Sequence, residues 1–115
     1  MTLDNFISKL KNNPKTIEFK NTINTIESLY NFSPSAFKNG EIKNRATENL
    51  GSCKVFAFAL KQQFTKDETL ACFGQYYFKD VLGNPNGTDH QNIRNFMQTG
   101  FKGLSFEREA LTEKN

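Results

Sequence analysis

Apolar residues recur at helical spacing in four stretches of this chain and crowd nearly every position of a fifth. Leu3, Phe6, Ile7 and Leu10 fall at i, i+3, i+4 and i+7, which predicts a helix over residues 3–11 with Thr2 as its N-cap. Asn13-Pro14 predicts a stop and a new start, because proline is tolerated at a first helical position. The second helix then keeps Phe19, Ile23, Ile26 and Tyr30 on one face, with Ile17 and Leu29 at its edges. From Tyr30 to Arg45 the helical period fails. Aromatics there alternate with Pro, Asn and Gly, which predicts short strands joined by a turn at Asn39-Gly40.

The stretch GSCKVFAFALKQQF is the crowded one. With Ser52 as cap it runs through Cys53, Val55, Phe56, Ala57, Phe58, Ala59, Leu60 and Phe64, and a helix apolar almost all round is a buried helix. Thr65-Lys66-Asp67-Glu68 has the spacing of a capping box. It opens a fourth helix that buries Leu70, Phe73, Tyr77 and Val81 and ends in the loop GNPNG. A fifth helix sends Ile93, Phe96 and Met97 inward and stops at Gly100. Phe101, Leu104 and Phe106 add one short strand, and residues 107–115 read as a frayed tail. The expected fold is therefore α+β. It is a single domain over residues 1–115, mainly helical, with about five helices around one buried helix and a small sheet of short strands.

Composition narrows the class further. A chain of 115 residues can bury one core without staples, and 12 phenylalanines make that core aromatic. No apolar run reaches the length that crosses a bilayer, so no membrane role is expected. The N-terminal stretch has Asp4 early and no uninterrupted apolar region, so it does not read as a secretory signal. The net charge is +3, yet only three of the 15 basic residues are arginines, and the lysines lie scattered on polar faces. Phosphate recognition favours clustered arginine forks, so nucleic acid is not an expected partner. Cys53 and Cys72 make no metal-like pair and read as reduced thiols of a cytoplasmic protein. No heptad seam predicts a coiled coil, and a homodimer stays open.

Candidate chemistry gathers at two helix starts. Thr88-Asp89-His90-Gln91 repeats the capping-box spacing, so Thr88 or Asp89 caps and His90, the only histidine, lies in the first turn of the fifth helix. There Asp89 would orient a neutral imidazole for general-base work, or the ring would simply pack. Cys53 would stand at the first position of the buried helix beside Lys54, both features that lower a thiol pKa. A Cys53–His90 pair would resemble the nucleophile and base of a thiol hydrolase, although burial is the commoner fate of such a cysteine. Cys72 reads as packing. One histidine and two distant cysteines do not make a metal ligand set, although Glu48, Asp89 and His90 could converge in space, and no glycine-rich phosphate loop is present, so neither metal nor cofactor is expected.

Three strings carry a family resemblance: FSPSAFKNGEIKN, ENLGSCKVFAFA and LACFGQYYFKDVLGNPNGTDHQNIRNFMQTG. Together they resemble the HopJ type III effector family over nearly the whole chain. The resemblance implies no activity, cofactor or catalytic residue, since none is established for the family, whose members occur widely in bacteria. It marks Asn39, Gly40, Glu48, Asn49, Gly51, Ser52, Cys53, Asp89, His90, Asn92, Ile93 and Arg94 as signature positions. Two of those runs start helices, where free amides point outward. The sequence thus predicts that the starts of the third and fifth helices converge on a small polar pocket. Its ligand-binding candidates are Glu48, Asn49, Ser52, Asp89, His90 and Arg94.

Three functions follow. The leading one is a bacterial cytoplasmic domain that binds a small ligand or a protein partner and catalyses nothing. The second is a hydrolase or acyltransferase using Cys53 or His90, with Asp89 behind it. The third is a translocated effector acting in a host cell.

Overall fold

In a computed structural model, residues 1–114 are described, as five α-helices, one π-helical segment and five three-residue strands. Helix α1 (Leu3–Asn12) begins where Thr2 Oγ1 accepts a hydrogen bond from the Asn5 amide, and it buries Phe6 and Leu10. Pro14 opens only one 3-10 turn, Pro14–Thr16, and α2 (Phe19–Leu29) starts afresh after it. The expected stripe of Phe19, Ile23, Ile26 and Tyr30 faces the core, but the most buried positions within α2 include two threonines. Those positions are Thr22, Thr25 and Ile26, with Ile23 only partly covered. Small threonines let the backbone of a neighbouring segment approach, and Thr22 Oγ1 donates to the Cys72 carbonyl at 2.7 Å. Tyr30 leaves the helix and opens strand β1 (Tyr30–Phe32).

Strands β2 (Phe37–Asn39) and β3 (Ile42–Asn44) form the hairpin expected at Asn39-Gly40, and Gly40 supplies the positive φ (+63°) of the turn. Strand β4 (Leu104–Phe106) pairs with β2, and β5 (Leu111–Glu113) pairs with β1, both antiparallel. Tyr30 faces Glu113 and Phe37 faces Phe106, so seven residues separate the two pairings on each side. The two small sheets are one interrupted ribbon in unbroken register. Across the gap the Ser33 amide bonds the Ala110 carbonyl (2.8 Å) and the Glu107 amide bonds the Ala36 carbonyl (3.0 Å). Pro34, which has no amide to give, sits in the interruption.

This ribbon corrects the expectation of a frayed tail. Residues 111–113 form a strand, Leu111 is 0% exposed and Ala110 2%. A strand of three residues has almost no period to read, and its partner lies some 80 positions away. Asn115, the last residue of that tail, lies outside the described residues.

Helix α3 (Leu50–Gln62) is central, as its composition demands. Phe56 and Phe58, two positions apart, point about 200° from each other around a helix. Phe56 accordingly packs on Phe37, Phe73 and Phe96, while Phe58 packs on Phe6, Tyr30 and Phe64. One helix thereby joins two halves of an aromatic core. Its end carries Gln63 in the left-handed region (φ +58°).

Helix α4 (Lys66–Ala71) opens with the expected capping box. Thr65 Oγ1 accepts from the Glu68 amide, and Glu68 Oε1 accepts from the Thr65 amide at 2.9 Å. The helix does not continue to Val81. It breaks at Gly74, whose φ is +59° and whose absent Cβ would lie 2.6 Å from the Phe19 amide nitrogen. The start of α2 crosses at that point, and only glycine admits it. Beyond the break, Tyr76–Val81 winds as a π-helix, with the Leu82 amide bonding the Tyr77 carbonyl five residues back. Helix α5 (Gln91–Thr99) buries Ile93 and Phe96 and ends at Gly100 (φ +58°). Among the described residues, no helix is long and apolar enough to cross a membrane.

Candidate functional site

The starts of α3 and α5 meet at a cavity of about 380 Å³. Asn49, Gly51 and Ser52 come from the first, and His90, Gln91, Asn92 and Ile93 from the second. The remaining wall is Phe19, Phe73 and Tyr76, with Ile42 at one side. Gly51 has no side chain, so it offers only backbone; a Cβ there would lie 3.0 Å from the Phe19 ring.

Both helices begin in the same unusual way. Their N-cap residues, Asn49 and His90, each have φ +51° and ψ +49°, and neither cap side chain bonds a helix amide. A left-handed conformation at a non-glycine residue is uncommon and costs on the order of 1–3 kcal/mol. The Ser52 cap expected at α3 and the capping box expected at α5 are therefore replaced. Ser52 lies two residues inside α3, and His90 is the cap itself, not a first-turn residue. Gln91 turns its carboxamide back to the Thr88 carbonyl. The unpaired first-turn amides of both helices remain available.

His90 is held from two sides. Its Nε2 lies 3.0 Å from Asp80 Oδ2 and 3.9 Å from Asp89 Oδ2, and its ring stacks on Tyr76 at 5.2 Å and 28°. The partner carboxylate is thus Asp80, delivered by the π-helical turn, more closely than Asp89. Asp89 is engaged elsewhere. Its Oδ1 accepts from Arg94 Nη2 at 2.6 Å, and this guanidinium bond holds the Asp89 carboxyl below the usual aspartate range. Arg94 also donates to the carbonyls of Asp89 and Asn84, clamping the GNPNG loop onto α5. A Cβ on Gly87 would come within 2.7 Å of that guanidinium. Arg94 does not line the cavity.

Behind the cavity stands a network of carboxamides. Asn92 Nδ2 donates to Asn44 Oδ1 at 3.0 Å, and Asn92 Oδ1 accepts from both Asn39 and Asn44. Asn39 Nδ2 also donates to the Asn92 carbonyl, and Asn49 Nδ2 reaches Asn44 Oδ1 at 2.6 Å. Asn39, Asn44 and Asn92 are all buried, and Asn39 Oδ1 is left with no partner. These amides fix the first turn of α5 and the cap of α3 to the β2–β3 hairpin. The backing of the site is hydrogen-bonded on nearly every side.

The other candidates fall away from the cavity. Cys53 is 1% exposed, its amide already bonds the Asn49 carbonyl, and its Sγ faces the Ser35 carbonyl at 3.6 Å. Burial pushes its thiol pKa up, the reverse of what a helix start beside Lys54 would do. Cys72, wholly buried, is pushed further in the same direction. Cys53 is a core residue and does not line the cavity that His90 lines. Glu48 is exposed, its Oε1 accepting from the Arg45 amide. Among the described residues, no group of three His, Cys, Asp or Glu side chains is placed to hold a metal ion.

Tyr76, Phe19 and Asp80 escaped the sequence reading. Tyr76 and Asp80 lie on a π-turn, which no 3.6-residue period reveals. Phe19 had the spacing of an ordinary core residue. The pair of aromatics at Tyr76-Tyr77 beside Gly74 was the one local signal of a break.

Comparison with curated proteins gives no match. Among solved structures, the crystal structure of VPA0580, a protein of unknown function, superposes with a TM-score of 0.96 at 53% identity. The match covers 99% of this chain and 95% of that one. The family model for the HopJ type III effector protein matches residues 3–111, both helix starts included. The chain belongs to the HopJ type III effector protein family.

Proposed function

We propose that this protein is a non-catalytic binding domain of the bacterial cytoplasm that holds a small ligand between the starts of α3 and α5. One observation carries the reading: a cavity of about 380 Å³ whose lining combines half-buried aromatic rings with hydrogen-bonding groups from two helix starts. That volume is in the range of small-molecule sites, which are concave, preformed and lined this way. The backing network of Asn39, Asn44 and Asn92 supports it, since preorganised walls lower the cost of binding. The absence of an accessible thiol supports the non-catalytic form. A fragment library screened by NMR against the labelled protein tests the reading. Hits should shift the amides of residues 49–52 and 90–93 together; a library whose hits never map there would remove the site.

A second reading has its own observation. Asp80 holds His90 at 3.0 Å, and the Ser52 hydroxyl lines the same cavity, an arrangement that suits a hydrolase with His90 as base. Turnover of simple activated esters that disappears in both His90→Ala and Ser52→Ala would favour it over binding alone. The family's description as type III effectors supports a host destination as a further alternative. Export of a reporter fused to residues 1–20 through a type III apparatus would establish that route.

A further inference from the structure

We propose that the cavity takes a neutral, flat nitrogen heterocycle of the nucleobase class, an inference that rests on reading the cavity as a ligand site. The first ground is the run of rings along one wall. Phe19 stacks on Phe73 at 6.3 Å and 18°, Tyr76 follows at 5.0 Å from Phe19, and His90 stacks on Tyr76. Phe19, Tyr76 and His90 each keep part of their surface uncovered. A flat unsaturated ring gains most from such faces.

The second ground is the pattern of free groups opposite those rings. Asn49 and Gln91 each spend one amide hydrogen, on Asn44 Oδ1 and on the Thr88 carbonyl, and each keeps a second amide hydrogen and a carboxamide oxygen for a ligand. Beside them stand donors: the Ser52 hydroxyl and first-turn backbone amides, with Gly51 contributing nothing but backbone. A ligand edge must therefore both donate and accept within a few ångströms, as the amino and ring-nitrogen edge of a base does. A carboxylate or phosphate only accepts and would face two carboxamide oxygens. It would also find no fixed cation. No lysine or arginine lines the cavity, Arg94 is spent on Asp89 and loop carbonyls, and the carboxylates of Asp80 and Asp89 flank His90. An anion there would lose its hydration without a cation to replace it.

The test is an NMR titration of the labelled protein with adenine, benzoate and inorganic phosphate in parallel. Adenine should shift the amides of Gly51, Ser52, Tyr76 and Gln91 in one saturable event, more tightly than either anion. Tyr76→Leu should weaken adenine by about tenfold, the size of one lost stacking partner. Should that variant unfold, Ser52→Ala is the second measure and should weaken adenine while leaving the spectrum dispersed. Tighter binding of benzoate or phosphate at the same amides would overturn the heterocycle class and leave a ligand site standing. No adenine response at these amides also overturns the class. If the fragment library likewise never maps there, the ligand reading fails with it.

Discussion

Two kinds of helix start coexist in this small domain, and the contrast sets the candidate site apart from the scaffold. At α4 the chain does everything a capping box can do: Thr65 and Glu68 satisfy each other's backbone amides, so fewer first-turn donors are left over. At α3 and α5 the cap residues are Asn49 and His90, both left-handed, and neither side chain returns to its helix. The first design gains helix stability, typically about 1 kcal/mol per cap. The second forgoes that gain and accepts strained backbone, and in exchange presents free amides to a cavity. Strain of this kind often clusters at binding sites.

The comparison can be broken most severely at the network that holds the open starts in place. Asn92→Leu, close in volume, strips Asn44 and Asn39 of buried partners and should destabilise the fold by about 1–3 kcal/mol in denaturant melts. A change near zero would mean that the open starts need no polar backing. Thr65→Ala should cost about 1 kcal/mol by the same measurement and leave binding at the cavity untouched, since α4 only scaffolds.

Gln63 offers the opposite sign. It ends α3 in the left-handed region with no side-chain hydrogen bond, so Gln63→Gly should stabilise the protein by up to about 1 kcal/mol. A loss of stability there would show that its positive φ carries no strain, and would weaken the strain argument for Asn49 and His90.

The smallest effect is on pH dependence. The Thr65 backbone amide, helped by Lys11, holds the Glu68 carboxyl below the usual glutamate range. A carboxyl depressed in the folded state contributes stability above its unfolded pKa. That contribution is lost as pH falls through the folded one, so the window lies below about pH 4.3. Glu68→Gln should flatten the fall of Tm with pH in that window, since the amide can cap but cannot titrate. An unchanged slope would show that the pair is too exposed to matter.

Sequence alone determined much of this molecule through its periods and its caps. The burial of α3 was legible because almost no polar face was left to present, and the capping box at Thr65 because its chemistry is local. The Asn39-Gly40 turn was legible for the same reason. The meeting of two signature strings at one cavity could be anticipated, since both stand at helix starts. Contacts between distant segments decided the rest. Gly74 breaks a helix because the start of α2 crosses it, and Asp80 reaches His90 because a π-turn follows that break. Leu111 is buried because a strand some 80 residues earlier holds it in register. A local pattern encodes which face of a segment is apolar. It does not encode which segment arrives to cover it, and that arrival sets the walls of the cavity.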